Sequence, residues 1–123
     1  MSIHIDKRSI YPFESIVSTG IKGEMKYYEF VIENLENILI TLDIKSGEAD
    51  LYLGKGIGKL PTKNNFYKKS ASYKGDQIEI KTTDFENELE MIDVYTIGVY
   101  SRVYSSYSLI YSPNFGNIYH LKY

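Results

Sequence analysis

Ser46-Gly47-Glu48-Ala49-Asp50-Leu51-Tyr52-Leu53 is a polar turn followed at once by an alternating strand. Successive side chains of a strand point to opposite faces, so Ala49, Leu51 and Leu53 share one face and Asp50 and Tyr52 the other. The first set is apolar throughout, which assigns it to a core. Asp50 and Tyr52 are then the outward pair.

The same period of two runs outward in both directions. Upstream, Tyr28, Phe30 and Ile32 alternate with Glu29 and Glu33, and Ile38, Ile40, Leu42 and Ile44 alternate with Leu39, Thr41, Asp43 and Lys45. The connection Leu35-Glu36-Asn37 is short, and predicts a hairpin between these two strands. Phe13–Val17, after Pro12, reads as an edge strand. Downstream, Gly54 to Asn65 is a loop broken by glycines and Pro61, and Phe66–Tyr73 is a further strand. Lys74-Gly75-Asp76 reads as a tight turn, followed by a strand over Gln77–Thr82. Val94–Ser101 and Tyr107–Ser112 are strands, Pro113–Asn117 a turn and Ile118–Tyr123 a last strand. Asp84 to Asp93 reads either as a short helix capped by Asp84 and carrying Phe85, Leu89 and Ile92, or as an acidic loop.

Tyr100, Tyr104, Tyr107 and Tyr111 recur at helical spacing. Gly98, Val99, Val103 and the serines around them are poor helix formers, so a hairpin turning near Ser101–Ser106 is the reading adopted. About seven to nine short strands with Gly-rich turns predict an all-β, antiparallel β-sandwich of jelly-roll type with at most one short helix. A chain of 123 residues is one domain. Residues 1–23 read as an N-terminal extension with the edge strand, and 24–123 as the core module.

Composition narrows the function classes. With 14 basic and 16 acidic residues the net charge is −2, so no general positive field favours nucleic acid or an anionic membrane. Without an apolar run near the ~20 residues of a span, no membrane insertion is expected. Met1 to Arg8 carries no apolar signal-peptide core, and the absence of cysteine excludes disulfides, thiol chemistry and cysteine-based zinc sites.

Catalytic signals are weak. Gly54-Lys55-Gly56-Ile57-Gly58-Lys59 superficially suggests a phosphate loop, but Pro61-Thr62 follows where a helix would have to begin, so a flexible hairpin loop is expected. His4 and His120 are the two histidines, and no serine sits in a nucleophile-elbow pattern. A small hydrolase built on either histidine is the least favoured reading, and the chain is read as a non-enzyme. Two carboxylate groupings suit a hard cation such as calcium. One is Glu48 with Asp50, on one face of their strand. The other is Glu86, Glu88 and Glu90, clustered with Asp84 and Asp93. Solvated surface roles compete with both, and no other cofactor is expected.

Tyrosine is over-used, with 13 copies against 5 phenylalanines and no tryptophan. By parity Tyr28, Tyr95, Tyr107 and Tyr111 face the core, where each hydroxyl needs a partner. Tyr27, Tyr52 and Tyr100 fall on outward faces and Tyr104 in a turn. Clustered together, these four would form an aromatic patch for a partner.

The wording Ala49-Asp50-Leu51-Tyr52-Leu53, then Pro61-Thr62, Phe66-Tyr67, Tyr95-Thr96-Ile97-Gly98-Val99-Tyr100 and Tyr107-Ser108-Leu109 resembles the bacterial pre-peptidase C-terminal domain. Tyr28-Glu29-Phe30-Val31-Ile32 is similar to that family's early strand. The resemblance implies a jelly-roll sandwich serving as a non-catalytic accessory module of a larger secreted or cell-surface protein. It would contact a protein or carbohydrate, and the resemblance favours an extracellular or cell-surface location, while the residues themselves leave a cytosolic protein and a module of a longer secreted parent both open. Related modules bind collagen, and some bind calcium near their amino end, where this chain offers Asp6 and Glu14. The alternative is a structural domain that packs against itself or neighbouring domains.

Overall fold

The computed structural model describes residues 6–70 and 76–113. Nine strands run through them: β1 (Lys7–Ser9), β2 (Ile16–Gly20), β3 (Met25–Ile32), β4 (Ile38–Ser46), β5 (Ala49–Lys55), β6 (Lys68–Ser70), β7 (Asp76–Ile80), β8 (Asp93–Ser101) and β9 (Ser105–Pro113). They form a five-stranded sheet in the order β1-β3-β8-β5-β6 and a four-stranded sheet in the order β2-β9-β4-β7. The inner faces meet in one core. Phe30, Ile32, Leu51, Leu53 and Ile97 of the first sheet join Ile40, Leu42, Tyr107 and Leu109 of the second. The molecule is therefore the all-β sandwich that the alternation predicts. Every ladder is antiparallel except β1–β3, where Lys7, Arg8 and Ser9 lie parallel to Tyr27, Tyr28 and Glu29.

Among these strands only β5 and β6 are joined within one sheet; every other connection passes to the opposite sheet. That winding is of jelly-roll character. It corrects two hairpins. β3 pairs with β1 and β8, while β4 pairs with β7 and β9, so the link through Leu35–Asn37 is an arch between sheets. The turn from Ser101 to Ser105 is a second arch, since β8 and β9 also lie in different sheets. The physical reason is common to both. Two strands with one apolar face each bury those faces equally well by stacking across a core as by lying edge to edge. Alternation is blind to that choice.

Strands and a turn carry the tyrosine stripe, as its residue propensities predict. Tyr107 and Tyr111 are buried on β9, Tyr100 lies outward on β8, and Tyr104 occupies the turn. The core tyrosines use their hydroxyls. Tyr28 and Tyr107 share a hydrogen bond of 2.7 Å across the sandwich, and Tyr95 donates to the Met91 carbonyl at 2.7 Å. Phe30 stacks on Tyr95 at 5.5 Å and on Tyr111 at 4.4 Å, contacts worth about 0.5–1.5 kcal/mol each beyond simple burial. Burial above all pushes the Tyr95 and Tyr107 hydroxyls well above their ordinary titration range, and the bond to Tyr28 adds to the effect at Tyr107. At the sandwich edge Asp76 accepts the Leu51 N–H at 3.1 Å, tying β7 to the other sheet.

The acidic stretch is neither one helix nor a bare loop. It folds as two single-turn 3₁₀ helices, Thr82–Asp84 and Glu88–Met91. Extended backbone at Phe85 and Asn87 interrupts any continuous helix from Asp84, and Asn87 caps the second turn by accepting the Leu89 N–H at 3.1 Å. Met91 is buried in the core and Phe85 packs against it, while Leu89 and Ile92 are exposed. The edge strand begins later than expected, at Ile16, because Tyr11 to Glu14 forms a turn with Phe13 at φ 63°. The tight turn at Lys74-Gly75, the last strand over Ile118–Tyr123, His4 and His120 lie outside the described residues.

Candidate binding face

The outer face of the five-stranded sheet is set out by register. Tyr27 on β3, Gly98 on β8, Tyr52 on β5 and Lys69 on β6 form one cross-strand row. Met25, Tyr100 and Asp50 form the next. Glu29, Thr96 and Gly54 flank the first row on its other side. Three of the four outward tyrosines named from sequence, Tyr27, Tyr52 and Tyr100, therefore share one face. Tyr104 does not join them: it is 62 % exposed in the β8–β9 turn, and its ring stacks on none of the three.

That face is covered. The loop after Gly54 folds back over the sheet, and small residues make room for it. A Cβ on Gly54 would run into the Lys59 carbonyl. A Cβ on Gly98 would lie 2.8 Å from Met25 Sδ and 3.0 Å from Pro61 Cγ. The Tyr27 hydroxyl donates to the Pro61 carbonyl at 2.9 Å and holds the loop down. Phe66 leans on Tyr52, ring centroids 5.6 Å apart. Tyr52 is consequently only 5 % exposed although it points outward, and burial, then the neighbouring Asp50 carboxylate, raises its hydroxyl above the usual range. The loop is a hairpin loop, as its glycines predict, but it is anchored to the sheet and not free.

Asp50, also outward, is 6 % exposed. Its Oδ1 pairs with Arg102 Nη2 at 3.1 Å, and Arg102 Nη1 lies 4.0 Å from Glu48 Oε2. Glu48 and Asp50 thus converge on a cation that the chain itself supplies. Glu86, Glu88 and Glu90 are exposed around the second 3₁₀ turn. Among the described residues no three His, Asp or Glu side chains gather as a metal cage would require. The carboxylates flanking this stretch are engaged by lysines. Partial burial opposes ionisation of Asp84, but Lys68 at 2.8 Å and the Lys81 N–H hold it below the usual carboxylate range. Asp93 is held down likewise, against partial burial, by Lys55 at 3.0 Å and the Val94 N–H.

Sequence reasoning missed four residues at this face. Phe66 and Tyr67 are 39 % and 37 % exposed beside it. Lys63 Nζ sits 4.7 Å over the Tyr100 ring, and Lys69 Nζ 5.5 Å over that of Phe66. A signal was present: Gly54 to Ser70 holds five lysines and no carboxylate. Within the loop, Lys55, Lys59, Leu60, Pro61, Phe66 and Tyr67 line a cleft of about 300 Å³.

No protein-family model and no curated protein matches the chain. Solved structures do. One is the pre-peptidase C-terminal domain of a collagenase from Bacillus anthracis, 14 % identical, with a TM-score of 0.63, covering 91 % of this chain and 100 % of that one. Another is PliG of Aeromonas hydrophila, a periplasmic inhibitor of g-type lysozyme, 15 % identical, with a TM-score of 0.61, covering 89 % of this chain and 96 % of that one. At such identities the likeness is one of fold, and it is to a β-sandwich of the pre-peptidase C-terminal type.

Proposed function

We propose that this domain is a non-catalytic binding module that meets a protein partner on the outer face of its five-stranded sheet. The observation that carries the reading is the pair of exposed rings Phe66 and Tyr67 with the half-buried Tyr100, beside a sheet whose underlying residues are already packed. Aromatic side chains on a rigid base supply contact area at small entropic cost, which is why they dominate the energetic centres of protein interfaces. The non-catalytic half of the reading is supported by where the displaced hydroxyls lie. Among the described residues the strongest shifts belong to Tyr95 and Tyr107, whose hydroxyls are spent inside the core and not aimed into a cleft. The two structural relatives, a domain of a collagenase and an inhibitor that acts on another protein, support a role beside a partner. The second of these, being periplasmic, supports a place outside the cytoplasm.

Tyr27 and Tyr52 serve the fold, so a test rests on Tyr100 and Phe66. The native domain and the combined Tyr100→Ala, Phe66→Ala variant, checked for equal far-UV circular dichroism, are probed against protein and glycan arrays. Protein ligands of the native domain are expected to lose about tenfold or more in affinity with the variant. Indistinguishable array profiles for the two proteins would overturn the reading.

A further inference from the structure

The β5–β6 hairpin carries charge that neighbouring carboxylates cancel only in part. Gly54 to Ser70 contains Lys55, Lys59, Lys63, Lys68 and Lys69 and no acidic residue, in a chain whose net charge is −2. Lys55 is neutralised by Asp93 and Lys68 by Asp84. Lys59, Lys63 and Lys69 are exposed and, among the described residues, have no carboxylate within ion-pair distance. Lys63 and Lys69 are instead steered by aromatic rings, over Tyr100 and Phe66. A ring face attracts an ammonium and restricts it without cancelling its charge. These lysines are thus positioned and still cationic. Lys59 lines the cleft of about 300 Å³ that also holds Phe66 and Tyr67. Ile57, 84 % exposed, marks the tip of the same loop.

We infer that the β5–β6 hairpin is the docking site for an acidic segment of a protein partner, whose carboxylates meet Lys59, Lys63 and Lys69 between the aromatic anchors. This rests on the binding-module reading and names the chemistry of its partner. Charge complementarity selects an acidic occupant. The mixture of three free cations with Phe66, Tyr67 and Ile57 fits a peptide with apolar side chains among its carboxylates. Nucleic acid fits less well. Its affinity comes from neutralising many phosphates, on the order of six to ten in tight complexes, and the negative remainder of this domain would repel the flanking backbone.

The test uses fluorescence anisotropy with a fluorescein-labelled deca-glutamate peptide. The competing probes are a deca-lysine peptide, a thymidine oligonucleotide and polygalacturonate. The glutamate peptide is expected to bind and to weaken as salt rises. Combining Lys59→Ala, Lys63→Ala and Lys69→Ala should reduce its affinity about tenfold or more, while the same positions changed to Arg keep it. Removing as much charge elsewhere, with Lys7→Ala, Lys22→Ala and Lys45→Ala, should leave it unchanged. Equal binding by the hairpin variant and the native domain, absence of peptide binding, or tighter binding of the oligonucleotide or polygalacturonate would each overturn the inference. If the acidic peptide fails while Tyr100→Ala, Phe66→Ala still loses an array ligand, only the acidic partner falls. If both fail, the binding-module reading falls with it.

Discussion

The two sheets are alike toward the core and opposite toward solvent. On β9 of the four-stranded sheet burial alternates strictly, with Ser106, Ser108 and Ile110 half-open between buried Tyr107, Leu109 and Tyr111. β4 repeats that pattern with Leu39 and Thr41. On β5 of the five-stranded sheet, Ala49 through Gly54 are buried without a break, and β8 is nearly as closed. The difference is one loop. Gly54 and Gly98 leave a shallow bed, Pro61 lies in it, and Tyr27 fastens it. Pointing outward and being exposed are therefore separate properties, and the second depends on what the rest of the chain lays over the sheet.

The comparison is broken most severely at Tyr52. Tyr52→Ala removes a buried ring from an outward position and should cost about 3 kcal/mol of unfolding free energy, as a core truncation does. Val17→Ala, also outward but 73 % exposed on β2, should change stability by less than about 0.5 kcal/mol. Urea unfolding midpoints measure both, and similar midpoints would mean that the loop does not cover the five-stranded sheet in solution. Gly98→Val against Ser108→Val sharpens the point. Both introduce a β-favouring residue at an outward position of an interior strand. At Gly98 the new atoms meet Met25 and Pro61, and about 1–3 kcal/mol is lost to overpacking. At Ser108 the space is open and the change should be near neutral. If Gly98→Val were stabilising, the bed would be empty.

The smallest effect is electrostatic and belongs to the five-stranded side alone. Asp84 and Asp93 have carboxyl groups held below their ordinary range in the folded state. For such groups stabilisation is complete above the unfolded value, about 3.9, and is lost as pH falls through the folded one. Both ion pairs are partly solvated, so each is worth about 0.5 kcal/mol after screening. Thermal melting followed from pH 6 to pH 2 should fall less steeply in the combined Asp84→Asn, Asp93→Asn variant than in the native domain. Parallel curves would show that neither pair contributes.

Much of the interior was legible in the chain. The parity of Ala49, Leu51 and Leu53, of Tyr28, Phe30 and Ile32, and of Tyr107 and Tyr111 assigned the core face, because a strand's side-chain period is a local property. The need of buried tyrosines for partners was equally readable, and Tyr28 with Tyr107 meets it. The site was legible only in part. Tyr27, Tyr52 and Tyr100 do share a face, but Phe66, Tyr67, Lys63 and Lys69 reach it through a loop whose course no periodicity describes. That Glu48 and Asp50 share a face was readable from their parity, and the guanidinium between them, Arg102, was not.

By itself the sequence determined the strands other than β1, their inward faces, the glycine-broken hairpin loop and the acid-free run of lysines upon it, since each follows from neighbours along the chain. Tertiary structure alone decided which strands pair, that β3–β4 and β8–β9 are arches, and that Asp50 and Tyr52 lie outward yet covered. Those outcomes turn on contacts between distant segments, above all Pro61 over Gly98, where the missing side chain of one residue makes room for the ring of another.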